Sequence, residues 1–250
     1  MERARRRRLA EELAARVVKS RGDIVSVVLF GSVARGDDGT DSDVEIAAIA
    51  RRGLARREVD RFILDGVLFG VYWYNAAGLR RQMLEPEGDA TKHGFLDGVP
   101  LYDSTRWFER LKREVADLPP SFYHRSAEDA LHQMYEYVCK ARNARRRRDD
   151  ANIAYATGVV GYEARVLAAL LNRRHYRSEN TMTDEWLQFP DLPEDFQRKV
   201  KPLVEGSVTL RVRYESAMAL WRLCREWAAT CGVRLRVVRR LPARPVAKTR

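Results

Sequence analysis

Cysteine is scarce in this chain. Its three residues, Cys139, Cys224 and Cys231, are odd in number and lack metal-ligand spacing. This argues against a disulfide framework and a thiolate metal site, and it favours buried, reduced thiols inside a cell. No apolar run approaches the roughly 18 residues that a membrane helix needs. The opening MERARRRR leads into an amphipathic segment rather than a signal-peptide core, so a soluble, cytoplasmic protein without a membrane partner is expected. Histidine is limited to four residues, and His124, His132 and His175 have no cysteine or carboxylate at ligand spacing, which favours core or surface roles for them. There is no internal repeat and none of the compositional bias that marks disordered or collagenous chains.

What the chain does have is positive charge, a formal +11 over 250 residues. Arginine is concentrated in residues 5–8, 145–148 and the tail from Arg234 onward, while Asp and Glu remain common elsewhere. Solvated faces and a loose tail account for much of this excess. Nucleic acid is therefore a minority expectation, beside a local field that attracts a nucleoside triphosphate.

Apolar periodicity divides the chain in two. A helix is expected over residues 2–19, with Leu9, Leu13, Val17 and Val18 at helical spacing and Gly22 beyond it. A β-branched strand follows at residues 24–30, another at 43–49, and a β region at 61–74 turning at Gly66, then a helix over residues 77–85. Tyr72, Trp73 and Tyr74 alternate between the faces of that last strand. Pro119-Pro120 is the clearest boundary. Beyond it residues 127–148, 152–172, 193–205 and 207–230 read as helices, and residues 233–238 as a short terminal strand. The expectation is an α+β chain: an N-terminal domain (1–118) with a small mixed sheet and flanking helices, a helical bundle (119–238), and a basic, disordered tail (239–250).

The stretch at residues 31–45, GSVARGDDGTDSDVE, carries the chemistry. A buried strand runs into Gly31, where unusual backbone angles are tolerated. Ser32 then offers a hydroxyl and an N–H where a helix could begin, an arrangement that attracts phosphate. Asp43 and Glu45 are two apart in a strand-like segment, so their carboxylates point the same way and can converge on one hard cation. An exposed strand end rarely needs Gly-Ser and Ser-Asp at these offsets, which favours the metal reading over a solvated edge. Ser42 reads as an orienting turn residue, and Arg35 as a candidate phosphate ligand or a partner of Asp37 or Asp41.

The order Gly31-Ser32, Arg35, then Ser42-Asp43-x-Glu45 resembles the signature of the DNA polymerase beta-like nucleotidyltransferase superfamily, and its closing Glu is most similar to the aminoglycoside (kanamycin-type) nucleotidyltransferases. TKHGFLDGVPLYD at residues 91–103, YEYVCKARN at 135–143 and Asp191-Leu192-Pro193 resemble further segments of that family in the same order. The resemblance implies an N-terminal nucleotidyltransferase domain and an Mg²⁺-dependent transfer of a nucleoside monophosphate, from ATP or another NTP, to a hydroxyl of an aminoglycoside-like molecule, with pyrophosphate released. It implies Asp43 and Glu45 as Mg²⁺ ligands, with Gly31, Ser32, Arg35, Lys140 and Ser178 around the nucleotide. It also implies Glu136 as general base, Lys140 near the α-phosphate, and a homodimer whose sites lie between the sheet domain of one subunit and the helices of another. On spacing alone Glu136 and Lys140 would be a surface ion pair contributing about 0.3 kcal/mol. His93 lies in a matched segment but is given no catalytic role. The family's third acid, on the strand beside the pair, is replaced by Gly70, which makes a second metal doubtful and the surface for a polycationic drug less acidic. Transfer of AMP to a protein, and a nonenzymatic nucleic-acid binder that keeps the fold, are the alternatives.

Overall fold

The computed structural model describes residues 2–52, 58–206 and 208–235. Its helices are α1 (Glu2–Ser20), α2 (Gly31–Arg35), α3 (Ala76–Leu84), α4 (Trp107–Ala116), α5 (Pro120–Arg147), α6 (Asp150–Leu171), α7 (Met182–Glu185), α8 (Phe196–Val204) and α9 (Leu210–Thr230). Its strands are β1 (Ile24–Phe30), β2 (Val44–Ala50), β3 (Glu58–Leu64), β4 (Val67–Asn75) and β5 (Val99–Tyr102). The sheet order is β3-β4-β2-β1-β5, mixed because β2 and β4 run parallel while the other neighbours are antiparallel.

The central pair, β1 and β2, is buried almost end to end, as its unbroken Val, Ile, Leu and Ala content requires. One face of the sheet, through Val27, Leu29, Ile46 and Ala48, packs on α1; the other, through Val28, Ala47 and Ile49, packs on Leu79 and Met83 of α3 and on Phe108, Leu111 and Val115 of α4. The β3–β4 hairpin turns at Asp65 and Gly66, with φ of 51° and 79°. Two consecutive left-handed residues suit the twist of a two-residue hairpin, and Gly takes that geometry without strain. The edge strand β5 was not read from the sequence. It is four residues long and contains Pro100, which an edge can accommodate and a central strand cannot.

The expected buried stripe of α1 is shifted. Leu9, Leu13 and Val18 are only partly buried, and the innermost side chains are Arg6, Ala10, Ala14 and Val17. The Arg5–Arg8 run is likewise not a free basic surface: Arg5 pairs with Asp65, Arg7 with Glu11 and Arg8 with Glu12, while Arg6 is buried.

The bundle begins at the double proline itself. Pro119 caps α5 and Pro120 is its first residue, where the missing N–H is no loss, so this helix starts seven residues ahead of expectation. Basic residues fill its last turn, Arg148 closes it in a left-handed conformation, and Asp149 accepts from the Asn152 N–H to start α6. Cations at one helix end and acids at the next suit both dipoles. By length and composition α6 could cross a membrane, yet 67% of its apolar window is buried against α5, α8 and α9. This is a core helix of the bundle. Cys224 is fully buried and no cysteine is disulfide-bonded. Residues 233–235 are not in a strand, and the rest of the expected terminal strand and tail lies outside the described residues.

Glu163 of α6 is the strained group of this core. Its Oε2 is buried without a hydrogen-bond partner, and burial, with Asp129 and Asp89 nearby, pushes its carboxyl up to about 7. A carboxyl whose folded pKa exceeds its unfolded value holds its proton more tightly in the folded chain, so stability falls as pH rises through that interval. Glu163→Gln, which mimics the protonated acid, is expected to match the parent below about pH 5 and to exceed it by about 1–2 kcal/mol at pH 8 in urea unfolding, a figure reduced for partial exposure.

Candidate active site

β1 ends in Phe30, and Gly31 turns the chain with φ of 77° into α2. No side chain caps α2, which leaves the N–H groups of its first turn for a ligand. The β1–β2 register sets Phe30 opposite Glu45, and a Cβ on Gly31 would overlap the Glu45 Oε2. Glycine is therefore favoured here by its φ, and any larger residue would also displace the carboxylate lying across it. Asp43 immediately precedes β2 and is two residues from Glu45, so both belong to the sheet face that carries Ala47 and Ile49.

The intervening loop, residues 36–42, is held from below by α1. Arg6, 2% exposed, donates to the Asp38 carboxylate at 3.1 Å, to the Gly39 carbonyl at 2.8 Å and to the Thr40 carbonyl, and Arg3 donates to Asp38 at 2.6 Å. Burial alone would raise the Asp38 carboxyl, but the hydrogen bonds from Arg3 and Arg6 outweigh it and hold it below its ordinary value. Within the loop the Gly39 N–H donates to Ser42 Oγ at 2.9 Å, the geometry of an orienting turn residue. Arg35 pairs with Asp37 at 3.1 Å.

These residues open onto a cleft of about 1160 Å³. Its walls include Gly31, Ser32, Arg35, Asp43 and Glu45 on one side and Arg177 to Thr181 on the other, with Thr91, Lys92, Gly94 and Phe95 from the 3₁₀ turn at Lys92–Asp97. Ser178, 146 positions along the chain from Ser32, thus lines the same cleft, where it exchanges hydrogen bonds with Thr181. The sequence reading missed Arg177 and Lys92. Arg177 is held by Glu185 at 2.7 Å with its guanidinium half exposed. The Lys92 ammonium turns away to the Gln82 and Glu85 carbonyls that end α3, and burial lowers its pKa. His93 is structural: it is buried, its Nε2 donates to the Met83 carbonyl at 2.9 Å, and burial pushes its imidazole down to about 4.

Glu136 and Lys140 do not line this cleft. They form an exposed ion pair of 2.7 Å on α5, with Lys140 4.1 Å from the Tyr137 ring centre, and the hydrogen bond to Glu136 raises the Lys140 pKa. Gly70 pairs directly with Glu45 across β2 and β4. The Tyr72 ring covers it, so that a Cβ there would lie 2.9 Å from Tyr72 Cε2, and Tyr72 is fixed edge-on against Phe30 at 5.5 Å. Among the described residues no three His, Cys, Asp or Glu side chains form a metal-binding group. Asp43 and Glu45 would supply hard oxygen donors of the kind that Mg²⁺ takes.

A model of the nucleotidyltransferase domain matches residues 11–76, and one of the KNTase C-terminal domain matches residues 105–234. The latter takes in α4, which packs on the sheet. Aminoglycoside nucleotidyltransferases (4') from Staphylococcus aureus and from a Bacillus species are each 23% identical to this chain, with 97% of both chains aligned. A putative protein adenylyltransferase of Methanocaldococcus jannaschii is 31% identical over 42% of this chain and 80% of its own length. The crystal structure of a nucleotidyltransferase-like protein from Exiguobacterium sibiricum 255-15 shares the fold, with a TM-score of 0.58 at 12% identity over 88% of this chain and 77% of that one. With the KNTase C-terminal model spanning more than half of the chain behind a nucleotidyltransferase domain, the protein belongs to the kanamycin-type nucleotidyltransferase family and is a nucleotidyltransferase.

Proposed function

We propose that this enzyme moves a nucleoside monophosphate, from ATP or another NTP, onto a hydroxyl of an aminoglycoside-like small molecule. The observation that carries this reading is the convergence of Gly31, Ser32, Arg35, Asp43, Glu45 and Ser178 on one cleft large enough for a triphosphate and an acceptor. Ser32 and the uncapped N–H groups of α2 would hold the outer phosphates, with Arg35 and Ser178 at the rim. Mg²⁺, held by Asp43 and Glu45, would neutralise charge on the leaving pyrophosphate. The acceptor oxygen forms a bond to the α-phosphorus, the bond to the pyrophosphate oxygen breaks, and the acceptor proton passes to the Glu136 carboxylate. Because Glu136 and Lys140 lie outside the cleft of their own chain, the reading requires a second copy to present its α5, giving a homodimer in a cytoplasmic setting.

The 31% identity to a putative protein adenylyltransferase favours one alternative, AMP transfer to a protein side chain. Incubation with labelled ATP or GTP, Mg²⁺ and a panel of aminoglycosides separates the two. A nucleotidyl mass increment on a drug is expected. Label that appears on protein while every drug remains unmodified would reject the small-molecule acceptor.

A further inference from the structure

Behind the 3₁₀ turn lies a second cavity, of about 480 Å³, which no part of the proposed reaction uses. Three cations, Lys112 of α4 and Arg173 and Arg174 beyond α6, line it against a single acid, Asp97. Among the described residues none of these three cations has an ion-pair partner. Leu96, Val115 and Ala116 add apolar surface, and the Tyr123 phenol and His175 imidazole complete the lining. Arg173 and Arg174 are exposed and Lys112 is partly buried, so three unmatched cations face one open pocket, a local field that a bound anion relieves.

The position is informative too. The 3₁₀ turn gives Gly94 and Phe95 to the catalytic cleft and Leu96 and Asp97 to this cavity, and the segment after α6 gives Ser178 to the former and Arg174 to the latter. The two segments are locked together: a Cβ on Gly94 would overlap the Arg177 carbonyl, the His93 and His175 rings meet at 5.5 Å, and the Tyr176 N–H donates to the Ala90 carbonyl at 2.8 Å. The cavity and the cleft are thus back to back across one wall.

We infer that this second cavity binds a small phosphate-bearing anion through Lys112, Arg173 and Arg174, independently of the catalytic cleft. Occupancy would bear on the wall that carries Ser178. Inorganic pyrophosphate and AMP, titrated separately without Mg²⁺ into the full-length protein by calorimetry, distinguish a free anion from a nucleotide. At least one is expected to show a binding event that persists in Arg35→Gln, whose side chain belongs to the cleft. Arg173→Gln with Arg174→Gln should weaken that event about tenfold or more, while NTP affinity with Mg²⁺ stays within about twofold. Arg173 holds a left-handed backbone, φ 53°, so Lys112→Gln with Arg174→Gln is made beside it and should act alike. The inference is overturned if neither probe binds in Arg35→Gln, or if exposed Arg146→Gln with Arg147→Gln weakens binding as much, which would mark a response to overall charge.

Discussion

Asp43→Asn is expected to lower nucleotidyl transfer by about 10³-fold and Glu45→Gln by about 10²-fold or more, at saturating Mg²⁺ and NTP, with the fold retained. The size of the effect follows from the donor set. The β2–β4 register places Gly70 beside Glu45, and no third His, Cys, Asp or Glu among the described residues joins the pair. With two carboxylates there is no reserve, and removing one halves the anionic charge available to a hard cation. Both side chains are only partly buried at the mouth of the sheet and each amide keeps its acid's shape, so unfolding should shift by less than about 1 kcal/mol. Calorimetry supplies the second readout. Each variant should lose the Mg²⁺-dependent part of NTP affinity and keep the weaker Mg²⁺-independent part. A loss below tenfold in both variants, or affinity that ignores Mg²⁺ in the parent, would remove these carboxylates from metal binding.

Arg6→Ala should be the most damaging change in the arginine run, even though its neighbours look identical in sequence. Its side chain and that of Asp38 are 3% and 2% exposed, and its guanidinium also serves two loop carbonyls. Removing one partner of a buried pair strands the other, at a cost of about 3–5 kcal/mol. Arg3 still reaches Asp38, which favours the lower end of that range. For a chain of this size a Tm fall of about 6–12 °C follows. Arg5→Ala, where the pair with Asp65 is about half exposed on both sides, should cost under about 1 kcal/mol. Because the clamped loop carries the chain from Arg35 to Asp43, KM for NTP should rise in Arg6→Ala below its melting range. Equal melting of the two variants would show that the clamp contributes nothing.

The contrast between Arg5 and Arg6 also marks the limit of what could be read before the fold was known. Local spacing was informative: the Gly-Ser turn, the Asp43–Glu45 alternation and the helices of the bundle all depend on neighbours within a few residues. The Arg6 clamp joins positions 32 to 34 apart, and nothing in MERARRRR separates one arginine from the next until the small residues Ala10 and Ala14 are seen to face the sheet. β5 escaped because four residues containing Pro100 carry no periodicity of their own and are ordered by pairing with β1. Ser178 is given a place near the nucleotide by family resemblance alone, since no local signal links it to the Gly-Ser turn. The Glu136–Lys140 pair was legible as an i,i+4 contact, whereas its position outside the cleft depends on how α5 is buried.

The aromatic lid over Gly70 has a mutational corollary. An acid at position 70 would bring its first carbon to 2.9 Å from Tyr72 Cε2, so the Tyr72 ring, packed edge-on against Phe30, has to shift to admit it. A smaller side chain at position 72 would ease that shift, so substitutions at 70 and 72 are expected to be strongly non-additive.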